Sequence, residues 1–187
     1  MVHGRYESDE AKRLLKYMRF GMNVIELGRS LGIISHLIRA RIGDEVQQNI
    51  VETVPELADI CRKQTQNHLT GERISVISAA IAYGIEKIAF IVGGYPRLGQ
   101  IAHEVRDGMI EVLAITLAQL SEGLYRDASA ALVCDIEGSE MGVLQNEDEF
   151  LRRFAIINAE IHPLLFEEIG NSEMEFFSQC RVGLDGG

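Results

Sequence analysis

Basic charge is scarce in this chain: 18 Lys and Arg stand against 28 Asp and Glu, for a net charge of −10. No basic block is longer than a few residues. Neutralised phosphate supplies most non-specific affinity for nucleic acid, so the electrostatics argue against such a partner. Cysteine is scarce as well. Cys61, Cys134 and Cys180 are odd in number, widely spaced and contain no C-x-x-C pair, which argues against a disulfide framework or a zinc site and fits a reducing cytoplasm. Long apolar runs are missing too. The greasiest stretches, residues 33–42 and 74–92, are too short or carry charges, and the opening segment MVHGRYESDEAKR has no apolar core. Neither a membrane span nor a secretion signal is expected.

What is present is 47% hydrophobic composition over 187 residues, enough for one domain with a continuous core. Apolar blocks of strand length alternate with amphipathic blocks of helix length, the pattern of an α/β fold. A first helix is expected over residues 9–20 and a first strand over 22–27. The helix after the next loop sets Leu31, Ile34, Leu37 or Ile38, and Ile42 on one face. A second strand follows at 48–52. Pro55 then opens a helix through Gln66 with Leu57, Ile60 and Cys61 on its buried side. Further strands are expected at 73–78, within IEKIAFIVGG, at 110–115 and at ALVCDI, the last reading as a central parallel strand. A short helix lies around 117–123, SEMGVLQNEDEFLRRF reads as one helix, and IINAEIH reads as a strand closed by Pro163.

The segment from Met22 to Ser35, MNVIELGRSLGIIS, reads as a strand, a glycine loop and a helix. Glu52 closes the next apolar run, about the distance downstream that one βαβ unit requires. Together they suggest a nucleotide-type cofactor held across two strand ends. Near the other end of the sequence, CDIEGSE places Asp135, Glu137 and Glu140 at the exit of an inner strand, where open α/β sheets bind ligands.

These pieces, in order, resemble the FkbM-type S-adenosylmethionine-dependent methyltransferases from about Val24 to Pro163. VIELGRSLGIIS is similar to the family's D-x-G-x-x-x-G loop, NIVETVPEL to its acidic ribose strand, and ERISVISAAIAYG to its third strand. EVLAITLAQL and INAEIHP fit at the family's intervals, and ALVCDIEGSEMGVL is similar to its D-[VI]-E-G-x-E-x-x-x-L stretch. The resemblance implies a Rossmann-like class I methyltransferase fold, a mostly parallel twisted sheet with helices on both faces. It further implies S-adenosylmethionine at Glu26, Gly28, Ser30, Gly32, Glu52, Ser78 and Ala79, with Asp135, Glu137 and His162 at the reacting centre. The implied acceptor is a hydroxyl of a small molecule or sugar. Glu26 stands where the family has aspartate, and little sequence precedes the first strand to form a lid, so an oligomer partner would complete the acceptor site.

Local chemistry agrees with an adenosyl ligand. Gly28 and Gly32 let backbone approach closely, and a helix N-terminus suits the methionyl carboxylate. Glu52 can accept from both ribose hydroxyls. Dinucleotide sites prefer G-x-G-x-x-G, and Arg29-Ser30-Leu31 interrupts that spacing. Other readings stay open. A strand-glycine-helix turn also arises for steric reasons, an acidic residue after a strand is often a solvated cap, Asp135 and Glu137 could complement a helix dipole, and His162 could be a partly buried histidine. KIAFIVGGYPRLGQ offers a competing NAD(P) loop at Gly93, Gly94 and Gly99, though Pro96 replaces the glycine that approaches the diphosphate. A non-catalytic α/β interaction module is the third reading.

Overall fold

The apolar run after Met22 forms β1 (Asn23–Gly28), whose inner residues are buried on both faces, as a strand between two parallel neighbours must be. A computed structural model describes residues 12, 14–28, 33–68, 73–91, 109–120, 129–136, 139–162, 170 and 172–184. Within these, a short helical segment at 14–17 (α1) precedes β1. Then come α2 (Ile33–Ile42), β2 (Gln48–Glu52), α3 (Pro55–His68), β3 (Ile74–Ser78), β4 (Ala80–Ile81) and β5 (Lys87–Ile91). The chain continues with β6 (Met109–Ile115), α4 (Leu117–Leu120), β7 (Ala130–Asp135), α5 (Glu140–Asn146), α6 (Asp148–Leu151), β8 (Ile156–Ala159) and α7 (Glu173–Leu184).

Five strands form a wholly parallel sheet in the order β3-β2-β1-β7-β8. The chain builds outward from β1 through β2 to β3, then returns to the other side of β1 for β7 and β8. The order therefore reverses between β1 and β7. Helices cover both faces. Ile38 and Ile42 of α2 pack with Val24 and Ala131 on one face, and α3 lies against β2 and β3. Val143 of α5, Leu151 of α6 and Leu117 of α4 pack with Ile25, Leu27 and Leu132 on the other. This is an α/β fold compatible with a Rossmann-like arrangement, and none of its described helices is long and apolar enough to cross a membrane.

Several expectations are refined. On α2 it is Ile38, fully buried, that faces the core, while Leu37 is largely exposed. On α3 the buried stripe is Ala58, Cys61 and Thr65 rather than one through Ile60, which faces solvent. Positions 58, 61 and 65 fall within one helical face, and 60 lies well off it. The first helix does not reach Phe20, which sits in a turn before Gly21 (φ +84°) and is 77% exposed. The expected single helix after CDIEGSE is two: Glu147 leaves helical geometry (φ −125°, ψ 22°) and both ends α5 and starts α6. Finally, β6 does not join the large sheet. It pairs parallel with β4 and antiparallel with β5 in a separate three-stranded sheet.

A buried polar layer under α2 fixes the sheet's first crossover. Arg39, 2% exposed, donates to the carbonyls of Gly43 (2.7 Å), Val46 (2.9 Å) and Arg73 (3.1 Å). It thereby satisfies acceptors at the C-terminal end of α2 and at the entries to β2 and β3.

Candidate functional site

Parallel pairing brings the strand ends into a single rank. Glu52 is the register partner of Ser78, Gly28 is the partner of Asp135, and the Leu27–Val51 pair puts Gly28 beside Glu52. Ser78, Glu52, Gly28 and Asp135 thus cross the C-terminal edge of four adjacent strands. At about 4.8 Å per strand the rank spans roughly 14 Å. Its centre is the β1/β7 reversal, the place where open parallel sheets take ligands.

Gly28 has a steric reason to be glycine. Its φ is +90°, and a Cβ there would lie 1.6 Å from the carbonyl oxygen of Asp135. Glu52 is 5% exposed, and its Oε1 accepts the Val54 N–H at 2.9 Å, fastening the turn into α3. Ala79 is buried and donates its N–H to the Glu52 carbonyl (3.2 Å), while Ser78 is half-buried. Ser30, Gly32 and Glu137, and with them the rest of the glycine loop, lie outside the described residues.

Glu26 is placed differently from the rank. It is 2% exposed beneath α2, where Ser35 Oγ donates to its Oε2 (2.7 Å) and Gln48 Nε2 to its Oε1 (2.5 Å). Burial pushes its carboxyl above the usual range, and the bonds from Gln48 and Ser35 oppose that shift only in part. Both oxygens are engaged by the chain, so Glu26 braces β1 against α2 and β2. This brace was not read from the sequence, although a polar Gln48 heading the fully buried strand QNIVE was a visible signal.

On the other flank, three side chains from three elements meet. His162, just beyond β8, has Nδ1 2.9 Å from Glu140 Oε1 and Nε2 3.6 Å from Asp135 Oδ1. Glu140 opens α5 and is 3% exposed. The His162 and Asp135 side chains are 21% and 27% exposed, so solvent reaches this end of the cluster. If the Nδ1–H donates to Glu140, Nε2 presents its lone pair toward the sheet edge. Asp135 and His162 are therefore together, and Glu140 joins them as the group that orients the imidazole.

Burial holds the Cys134 thiol well above its ordinary range, and burial likewise raises Cys61 and Cys180. Among the described residues no group of three or more His, Cys, Asp or Glu is arranged to hold a metal ion. Compared with known proteins, the chain matches no family model, no curated protein and no solved structure.

Proposed function

We propose that the protein is a methyltransferase that moves a methyl group from S-adenosylmethionine to a hydroxyl of a small molecule or sugar. The observation that carries this reading is the rank of strand ends at the β1/β7 reversal, with the Glu52 carboxylate on one side of Gly28 and the Asp135–His162–Glu140 cluster on the other. In this reading Glu52 accepts from the ribose hydroxyls, Ser78 and Ala79 border the adenine, and the glycine loop from Gly28 takes the methionyl end. Glu26 holds that loop's root in place.

When bound, S-adenosylmethionine would supply an already activated methyl carbon, its carbon–sulfur electron pair leaving with sulfur as the acceptor oxygen bonds. The chain's part is alignment and proton removal. His162 Nε2 takes the hydroxyl proton while Glu140 stabilises the imidazolium through Nδ1. Asp135, beside the imidazole, favours the imidazolium that forms. The oxidoreductase alternative has less support: β5, the strand leading to the Gly93–Gly99 loop, runs antiparallel to β6 outside the five-stranded sheet, whereas a dinucleotide loop follows a strand of the parallel sheet. That loop itself lies outside the described residues.

Calorimetry ranks the readings. S-adenosylmethionine and S-adenosylhomocysteine should bind with a stoichiometry of about one and NAD at least roughly tenfold more weakly, a gap of about 1.4 kcal/mol. Heat from NAD alone would sink the methyltransferase reading.

A further inference from the structure

Beside the strand-end rank, the face of β7 and β8 that carries α5, α6 and α7 borders an open-sided cavity of about 380 Å³. That volume lies within the range of small-molecule sites, roughly 300–1,000 Å³. Its wall is mainly apolar, with Leu132, Val143, Leu151, Ile157 and Phe176 among the lining residues. Glu140 stands in the same wall with its side chain 2% exposed. Its Oε1 faces His162, but its Oε2 is buried and has no hydrogen-bond partner among the described residues. A buried carboxylate oxygen left unpaired is unfavourable, and a donor delivered by a ligand removes that cost.

We infer that this cavity is a binding site for a compact, largely apolar molecule carrying one hydrogen-bond donor, a hydroxyl or an amine, which pairs with Glu140 Oε2. The apolar wall takes the body of the ligand and Glu140 fixes its orientation. Besides Glu140, the charged groups among the lining residues are Asp148 and Arg152, which are bonded to each other at 3.1 Å. A sugar, with hydroxyls on every side, would leave most of its donors unmatched against this wall. The inference does not depend on methyl transfer, because it concerns binding in the absence of any adenosyl compound.

Two probes of nearly equal shape test it: 2-naphthol, which has the donor, and 2-methoxynaphthalene, which lacks it. Titrated by fluorescence into the wild-type protein, 2-naphthol should saturate one site and bind about tenfold or more tightly than the ether. Glu140→Ala should bring the two probes to within about twofold of each other. Cys180→Trp, which fills the cavity from α7, should weaken both by about tenfold or more while leaving far-UV circular dichroism and the unfolding midpoint unchanged. The site is overturned if wild type binds neither probe, if it binds both equally, or if a folded variant of either kind keeps wild-type binding. Should a variant fail to fold, the preference between the two probes in wild type decides alone.

Discussion

Glu26 and Gly28 stand two positions apart on β1 and answer to different physics. Gly28 combines a positive φ with a backbone approach to Asp135 that leaves no room for a Cβ. Gly28→Ala should therefore cost roughly 2–4 kcal/mol, read as a lower midpoint in urea unfolding. A loss within about 0.5 kcal/mol would mean that the β1–β7 edge is slack. Glu26 is a matter of protonation. Its carboxyl is raised from an ordinary value near 4.5 by burial, so the folded chain binds this proton more tightly than the unfolded chain does. The resulting stability is complete below the unfolded value and is lost as pH rises through the folded one. In Glu26→Gln that loss disappears, and glutamine can still accept from Gln48 and donate to Ser35 Oγ. The stability difference, wild type minus variant, should fall over the interval above the ordinary carboxylate range. A difference that rises over this interval would contradict the raised carboxyl. Sequence alone marked both residues as cofactor contacts. The acidic residue beside the loop was legible, but the partners that turn it into a brace, Ser35 and Gln48, lie 9 and 22 positions away and leave no local pattern.

Among the elements, strands were easier to read than helix ends. β1, β2 and β7 are short strands buried on both sides, and the consecutive apolar residues at 24–25, 50–51 and 130–134 are what a strand covered on both faces requires. The break between α5 and α6 was not legible, because N-E-D-E continues a helical pattern. What makes it is tertiary: buried Glu147 accepts the N–H of Ala118 at 3.1 Å, in the first turn of α4. The acidic first turn of α6 then suits its dipole. The i,i+4 pairs from Arg152 to Asp148 and from Arg153 to Glu149 lie in solvent and add little. Glu147→Ala leaves a helix-start donor without this acceptor and should cost about 1–3 kcal/mol, with Glu147→Gln recovering most of it in thermal melts. The same substitution bears on Tyr83, whose hydroxyl is held far above its ordinary range first by burial and then by the Glu147 charge. Its absorbance titration should begin at lower pH in Glu147→Ala.

For the whole molecule, the alternation of block lengths was enough to forecast an α/β fold, and an apolar ALVCDI was enough to forecast an inner strand. It did not reveal that β4, β5 and β6 form a second sheet, since pairing direction is settled by contacts between distant segments. Nor did it reveal the meeting of Asp135, Glu140 and His162, which depends on β7 and β8 being neighbours. Once the five parallel strands are in order, the rank Ser78, Glu52, Gly28 and Asp135 follows from register alone. The methyl-transfer reading rests on that rank, and Glu52 is its most exposed point, because the carboxylate also has a local bond to Val54 that would account for it without any ligand. Isothermal titration of S-adenosylhomocysteine into wild type and into Glu52→Ala separates the two roles. Saturable binding to wild type that weakens about tenfold to a hundredfold in a folded Glu52→Ala, some 1.4–2.8 kcal/mol, is the expected result; no binding to wild type, or the same affinity in both, would contradict it.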